Sequence, residues 1–293
     1  MRIAVIVNAA AGRRASAARA RRRIELTREV LGRAGVDYEV AATEYAGHAR
    51  DLARRALDRG AETIVAWGGD GTVNEVGSAV AFGPAALGIV PGGSGNGLAY
   101  ALGVPRRPAD ALRHLLTAAA RPIDAGEIAG RLFFNLAGFG FDAHVAELFA
   151  RRRSRGLRGY VAIAARELFA FRPPRLRVTL AGGTEERALL LLVIANGTQW
   201  GRNARIAPHA RLDDGLLDVV QVEPRSVARV GWQIPRLFRG RIDRASGITF
   251  ERVAAASIAG EPPLRFHVDG EPARSMAREL EIVVRPAALR VRA

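Results

Sequence analysis

The stretch "WGGDGTVNEV" at residues 67–76 decides the fold, because it places three glycines around one carboxylate between an apolar run and a helix-like segment. Gly68, Gly69 and Gly71 lack a Cβ, so they can take positive φ angles and let backbone N–H groups approach an anion closely. Phosphate is the anion that this pattern predicts. A tight strand-to-helix turn with Asp70 as an ordinary helix cap is the alternative, and one glycine cluster does not decide between them.

The segments on either side of this turn alternate in character over the first 124 residues. Apolar runs typical of buried strands, such as "RIAVIVN" (2–8) and "TIVAW" (63–67), alternate with amphipathic segments typical of helices, such as 15–35 and 47–60. This alternation predicts a mostly parallel sheet covered by helices. Ligands of such sheets bind at the carboxyl ends of the strands, where the glycine turn lies.

A second glycine turn, "PGGSGNGLA" (91–99), follows the next predicted strand. Two such turns, each with hydroxyl and amide side chains, are able to hold one polyphosphate from two sides. Neither matches the G-x-G-x-x-G pattern of dinucleotide folds, and the carboxylate of Asp70 would repel a bare pyrophosphate. Asp70 therefore fits better beside the magnesium ion of a metal-bound triphosphate.

The chain changes character after "RPIDAGEI" (121–128), where short apolar runs separated by turn residues predict an antiparallel sheet. Helical segments near 143–171 and 225–239 interrupt these runs. We therefore predict an α/β domain over residues 1–124, joined by the C-terminal segment 287–293, and a β-rich domain over residues 125–286.

Composition limits the chemistry that is available. The 293 residues are 49% hydrophobic and 25% charged, which is typical of a globular protein with two cores. There is no cysteine, so disulfides and thiolate catalysis are excluded, and the five histidines lack zinc-like spacing. We expect no catalytic task for these histidines: His48, His114, His144, His209 and His267. No apolar run is long enough for a signal peptide or a membrane span, which predicts an intracellular protein.

All 44 basic residues are arginine, and the formal net charge is +15. Without lysine, a Walker-type phosphate loop, the strand lysine of protein kinases and Schiff-base chemistry are excluded. The charge favours anionic partners, and only 6% of the residues are aromatic, which favours a membrane surface over nucleic acid. The segment "RRRSRGLR" (151–158) is the candidate for steering to the membrane. A solvated helix face, or an arginine excess from genomic base composition, is the alternative.

Five motifs in this order resemble the diacylglycerol kinase catalytic-domain family, which includes bacterial lipid kinases and the sphingosine kinases. They are "GGDGTVNEV", "PGGSGNGLA", "FFNLAGFGFDAHV", "IAPHARLDDGLLDVV" and "VDGE". The resemblance covers nearly the whole chain. It implies phosphorylation of a lipid hydroxyl by ATP, a nucleotide-binding domain similar to those of phosphofructokinases and NAD kinases, and a β-rich domain for the lipid substrate.

The resemblance also implies a set of nucleotide-binding residues and two departures from the family pattern. Asn8-Ala9 stands where the family has Asn-Pro. Gly97 stands where many diacylglycerol kinases have aspartate, which brings "GNGLA" nearer to the sphingosine kinase form and leaves the lipid open. The implied nucleotide set is Asn8, Thr43, Gly69, Asp70, Gly71, Thr72, Asn74, Glu75 and Ser94.

The turn in "FHVDGEP" (266–272) is the candidate for proton transfer, because a lipid hydroxyl is a poor nucleophile and needs a base. The resemblance implies Glu271 as this base. Asp269 would support the metal or orient the site, and Asp70 would stand beside the magnesium-bound nucleotide. A solvated hairpin turn with two acids is the alternative.

The turn in "RLDDGLLDVV" (211–220) is a candidate for a structural magnesium site, because it brings carboxylates close to free carbonyl groups. The resemblance implies ligands from the Asp214 carboxylate and the carbonyl groups of Leu217 and Val219. A solvated Asp-Asp-Gly hairpin turn is the alternative.

We therefore expect an ATP-dependent lipid kinase that uses Mg²⁺, acts on diacylglycerol or a related lipid, and binds no nucleic acid. We expect it in the cytoplasm, associated with an anionic membrane surface, and a homodimer is one alternative for its oligomeric state. The competing functions are a sphingoid-base kinase, a non-catalytic lipid-binding regulator with the kinase fold, and a soluble kinase of the NAD kinase type.

Overall fold

The computed structural model describes residues 1–9, 17–150, 163–164 and 166–293. The chain divides into two compact units. Unit 1 comprises Met1–Ile123 and Ala287–Ala293, and unit 2 comprises Asp124–Pro286. The arginine-rich segment 151–158 lies outside the described residues.

Unit 1 is built on a parallel sheet in which β1 pairs with β2 and β3, and β4 pairs with β3. The end of the last strand, Arg290–Arg292, runs parallel beside β4. Ile3–Val7 in β1 are almost fully buried, as expected of a parallel strand covered on both faces. The elements are β1 (Arg2–Val7), α1 (Ala17–Arg33), β2 (Asp37–Ala42), α2 (His48–Asp58), β3 (Thr63–Gly68), α3 (Asp70–Val80), β4 (Ala86–Pro91), α4 (Gly97–Ala101) and α5 (Pro108–Thr117). The predicted parallel α/β domain is confirmed.

Unit 2 is antiparallel and rich in strands, as predicted. Six strands form one sheet in the order β14-β13-β10-β7-β16-β17, and β15 pairs with β8 and with the first part of β18. Its strands are β6 (Arg131–Phe133), β7 (Leu136–Gly140), β8 (Arg175–Leu180), β9 (Gly183–Ala188), β10 (Leu191–Ala195), β11 (Gln199–Gly201), β12 (Ala204–Arg205), β13 (Leu217–Val222), β14 (Ile248–Val253), β15 (Ala255–Ala259), β16 (Leu264–Val268) and β17 (Glu271–Ser275). Two strands contribute residues to both units, β5 (Ala120–Ile128) and β18 (Glu279–Arg292).

The described residues of unit 2 also include helical segments, among them a short 3-10 helix (Ile242–Arg244). Helix α6 (Phe141–Ala150) begins the helical region predicted near 143–171, part of which lies outside the described residues. Helix α7 (Val227–Phe238) falls within the helix predicted near 225–239. Among the described helices, none is both long enough and apolar enough to cross a membrane.

Candidate functional site

The two glycine turns of unit 1 touch each other through their backbones. A Cβ on Gly93 would overlap the Cα of Gly69, and a Cβ on Gly68 would overlap the side chain of Thr72. The positive φ angles that glycine permits are not used at these positions: Gly69 has φ −95°, and neither Gly68 nor Gly71 has a positive φ. These glycines are needed because the chain passes so close to itself here.

The carboxylate of Asp70 joins the first glycine turn to the second. Its two oxygens accept the backbone N–H groups of Asn96 at 2.8 Å and Gly97 at 2.6 Å. Asn96 has φ 58° and closes its own turn, because its side chain accepts from the N–H of Gly93 and donates to the carbonyl of the same residue. Asp70 therefore caps a helix, as the alternative interpretation predicts. The helix that it caps is α4, whereas the prediction was a cap on α3, the helix to which Asp70 belongs.

The segment after β1 is fastened to the same turns. Asn8 donates from Nδ2 to the Thr72 hydroxyl at 2.6 Å, and Arg23 donates to the Asn8 carbonyl at 2.8 Å. The Arg23 guanidinium lies 5.7 Å from the ring centre of Trp67, and burial, with help from Arg19, lowers its pKa. Sequence reasoning missed Arg23, because nothing marks it among 44 arginines.

Glu75 holds the start of α2. Its carboxylate accepts the N–H groups of Gly47 at 3.0 Å and Ala49 at 3.1 Å. Thr43 follows β2, and its N–H donates to the carbonyl of Val7 at 2.9 Å. All nine predicted nucleotide residues thus follow the carboxyl ends of β1, β2, β3 and β4, which lie at one edge of the parallel sheet.

The turn between β16 and β17 in unit 2 is anchored by Asp269. This residue is 8% exposed, and its carboxylate accepts the backbone N–H groups of Phe134, Asn135 and Leu136 at 2.9–3.0 Å. Three hydrogen bonds to one buried carboxylate fix both the turn and the segment before β7. The arrangement fits an orienting residue.

Glu271 stands at the other end of that turn and is exposed. Asp269 and Gly270 have φ 47° and 85°, so Val268 and Glu271 face each other across a two-residue hairpin loop. Within the described residues, the Glu271 carboxylate makes no hydrogen bond and no ion pair. It is the acid of this turn that is open to a substrate.

His267 and Asp142 form a buried pair that the sequence did not indicate, and His267 holds the turn through a hydrogen bond from Gly270. His267 and Asp142 are each 2% exposed, with 2.6 Å between Nε2 and the carboxylate. The N–H of Gly270 donates to Nδ1 at 3.2 Å, so Nε2 is the nitrogen that donates to Asp142, which also accepts from the Trp200 indole at 2.9 Å. Burial lowers the pKa of His267, but the carboxylates of Asp142 and Asp269 outweigh it and raise that pKa.

Comparison with known proteins identifies the family. Residues 2–128 match the diacylglycerol kinase catalytic domain, and residues 135–293 match the YegS C-terminal NAD kinase beta sandwich-like domain. A Pseudomonas aeruginosa protein named "Probable lipid kinase YegS-like" is 37% identical over 262 residues, which cover 88% of this chain and 85% of that protein. The chain belongs to the diacylglycerol kinase catalytic-domain family. A Chromohalobacter salexigens protein of the same name is 33% identical over 254 residues, 84% of this chain and 82% of that protein.

Solved structures agree on the fold of this lipid kinase family member. A diacylglycerol kinase from Bacillus anthracis superposes with a TM-score of 0.73 at 19% identity, covering 99% of this chain and 96% of that chain. Another structure from that organism gives 0.81 at 21% identity, covering 99% and 94%. The family and the kinase class predicted from five motifs are confirmed, while the roles of single residues stay predictions.

The candidate magnesium ligands of the kinase lie at the Asp-Asp-Gly turn and in β13, the strand that follows it, and their role stays a prediction. Leu217 and Val219 pair with Val253 and Glu251 inside the sheet, where strand carbonyl groups face the neighbouring strand. The Asp214 carboxylate accepts the Leu216 N–H at 3.2 Å and lies 3.5 Å from Arg252. The described residues contain no group of three or more histidines and acids able to hold a metal, but a site of one carboxylate and two carbonyl groups is of a different kind.

Proposed function

We propose that this kinase transfers the γ-phosphoryl group of ATP to a hydroxyl group of diacylglycerol or a related membrane lipid. The observation that carries the proposal is the pair of glycine turns that Asp70 fastens together at the carboxyl edge of the parallel sheet. This is the edge at which such sheets bind nucleotides. Fixed loops with little side-chain bulk suit a triphosphate, because the backbone can come close to its oxygens.

The nucleotide would be held by the nine residues at that edge. Mg²⁺ enters with ATP as part of the substrate and neutralises part of the triphosphate charge. Asn8 and Thr72 form one hydrogen-bonded pair beside the first turn, and Ser94 lies on the second turn. In this proposal Asp70 has two tasks: it fixes the second turn, and its negative charge faces the metal-bound nucleotide.

Glu271 would act as the base. The lipid hydroxyl oxygen attacks the γ-phosphorus, the bond between that phosphorus and the bridging oxygen breaks, ADP leaves, and the hydroxyl proton passes to the Glu271 carboxylate. The exposure of Glu271 supports this assignment. Asp269 would orient the turn through its three backbone hydrogen bonds rather than touch the reacting atoms. No step uses an ion at Asp214, because the resemblance implies a structural site there.

A transfer assay tests the proposal. The purified chain is supplied with γ-labelled ATP and Mg²⁺, and separately with diacylglycerol, sphingosine, ceramide and phosphatidylglycerol in mixed micelles, with NAD as the soluble control. We expect label in diacylglycerol or a related glycerolipid. Label only in NAD, or in no acceptor, contradicts the proposal, and the latter result would favour a lipid-binding regulator.

A sphingoid-base kinase is the second candidate, because Gly97 replaces the carboxylate that many diacylglycerol kinases have at this position. The backbone N–H of Gly97 is bound to Asp70, so this position belongs to the nucleotide turn. Faster transfer to sphingosine than to diacylglycerol at equal surface concentration would select this candidate.

A further inference from the structure

Helix α7 presents a large apolar surface to solvent. Trp232 is 76% exposed, Ile234 48% and Phe238 52%, which are three of the eight large apolar side chains exposed in the described chain. Each residue of an α-helix is rotated by about 100° from the one before it. Ile234 and Phe238 therefore lie one turn apart, and Trp232 lies further round the helix on the same outward side. The space between them is covered by Ala228, Gly231 and Pro235, all exposed and uncharged.

The opposite side of α7 is fixed to unit 2. Val230 and Leu237 pack on a cluster of buried residues from β10 and β13, and Gln233 donates to the Ser246 carbonyl at 3.2 Å. One side of the helix therefore packs on the core of unit 2. The apolar side chains on its other side face solvent and are not part of that core.

One edge of the outward surface is basic. Arg229, Arg236 and Arg239 project beside Trp232 in the helical projection, and Arg241 and Arg244 follow. No acidic residue occurs between Glu223 and Asp243. In the described part of the chain none of these five arginines forms an ion pair with an acid, so their charge remains uncompensated by the protein. We call Trp232, Ile234, Phe238 and these arginines the α7 face.

We propose that the α7 face docks the kinase on an anionic lipid bilayer. An apolar side with a tryptophan, bordered by arginines, suits the boundary between lipid headgroups and acyl chains, where aromatic rings sit at headgroup level and cations are attracted to anionic lipids. A second copy is disfavoured as the occupant, because two identical cationic faces repel each other. The inference rests on the proposed function, since a lipid acceptor lies in such a surface.

Vesicle binding tests this surface without any enzymatic turnover. The purified chain is sedimented with vesicles of phosphatidylcholine alone, and with vesicles that also contain phosphatidylglycerol. We expect binding to the anionic vesicles only, with a blue shift of tryptophan emission that disappears in Trp232→Phe. The variants Trp232→Ser with Phe238→Ser, and Arg229→Gln with Arg236→Gln and Arg239→Gln, should each weaken binding at least about tenfold.

Matched controls separate the α7 face from net charge and general apolarity. Arg21→Gln with Arg22→Gln and Arg28→Gln removes the same charge from the exposed side of α1, and Met276→Ser removes a side chain that is also 76% exposed. Both controls should bind like the wild type. The proposal is overturned if α7 variants bind like the wild type, if the charge control loses as much affinity, or if α7 variants instead lose RNA binding or self-association.

A soluble acceptor distinguishes failure of docking from failure of the proposed function. Transfer to a short-chain diacylglycerol below its micellar concentration should be unchanged in the α7 variants, while transfer to diacylglycerol in anionic vesicles should fall at least about tenfold. If no acceptor is phosphorylated, the proposed function fails, and sedimentation still decides the docking surface. An equal fall with both acceptors would show damage to the enzyme and contradict docking.

Discussion

The glycine turns of unit 1 and the Asp-Gly turn of unit 2 use their acids in different ways. Asp70 and Glu75 each accept two backbone N–H groups, and Asp269 accepts three. Glu271 is exposed, and no described residue hydrogen-bonds to its carboxylate. Three of these four acids therefore hold the backbone in place, and the fourth is exposed to solvent. Acidic residues in the family motifs are engaged in backbone hydrogen bonds in one place and exposed in another, and the proposed base is the exposed one.

Replacing the exposed acid should have the largest effect on transfer. Glu271→Gln keeps the size of the side chain and removes the proton acceptor, so kcat should fall roughly 10²- to 10⁴-fold. The KM for ATP and the free energy of unfolding should change little, because the carboxylate has no partner in the described chain. Labelled-ATP turnover and urea unfolding measure both quantities.

The matched control is Glu261→Gln, which changes another exposed glutamate of unit 2 and should leave turnover unchanged. Turnover of Glu271→Gln within a few-fold of the wild type, with chemistry rate-limiting, would pass the role of base to Asp269 or to water.

Asp70→Asn should have the next largest effect, because an amide has one accepting oxygen for two N–H donors and no charge. We expect kcat/KM to fall about 10²- to 10³-fold, with about 1–2 kcal/mol lost from the free energy of unfolding. Urea unfolding separates the two proposed tasks. A lower kcat with unchanged unfolding would favour the charge beside the nucleotide, whereas a raised KM for ATP with weaker unfolding would favour the anchor. Near-normal transfer would refute both.

The fold and the set of positions at the sheet edge were predictable from sequence, because both follow from local patterns. Alternating strands and helices predict a parallel sheet, and parallel strands end at one edge. The two glycine turns after β3 and β4 were therefore expected to lie at one edge, and they do. The family motifs added the substrate class, which periodicity does not contain.

The pairing of particular side chains was not predictable, because it depends on packing between distant segments. Asp70 binds backbone groups 26 and 27 residues away, and His267 meets Asp142 across 125 residues. Sequence analysis gave His267 no partner, and it did not single out Asp142 within its motif. Gly138 allows their approach, because a Cβ there would lie 2.7 Å from the Asp142 carboxylate and overlap His267. Nothing in the local sequence distinguishes this glycine from a turn residue.

Adding a side chain to one glycine turn should have a moderate effect on stability and on the KM for ATP. Gly93→Ala places a methyl group against the Gly69 backbone, which cannot move without shifting Asp70. We expect about 1–3 kcal/mol less free energy of unfolding, and a KM for ATP raised about tenfold. Gly32→Ala is the control. Gly32 lies within α1, the added methyl group would lie 3.6 Å from Tyr38 Oη, and alanine should be neutral or stabilising there. Equal KM values for the two variants would show that the contact between the turns does not position the nucleotide.

The smallest effect on transfer is expected at Asp218, a buried carboxylate that, among described residues, accepts no hydrogen bond. Burial raises its pKa to about 6 from 3.8, with Arg252 opposing and Asp214 adding to the shift. A raised folded-state pKa means that ionisation costs the folded state, so stability falls as pH rises from about 4 to 6, by at most about 3 kcal/mol. Asp218→Asn should therefore be about 1–3 kcal/mol more stable than the wild type at pH 7.5, and equally stable near pH 4. Urea unfolding at both pH values measures this, with the exposed Asp213→Asn as control. A variant that is less stable at pH 7.5 would show that the ionised carboxylate is stabilised by a partner, as Asp70 and Asp269 are.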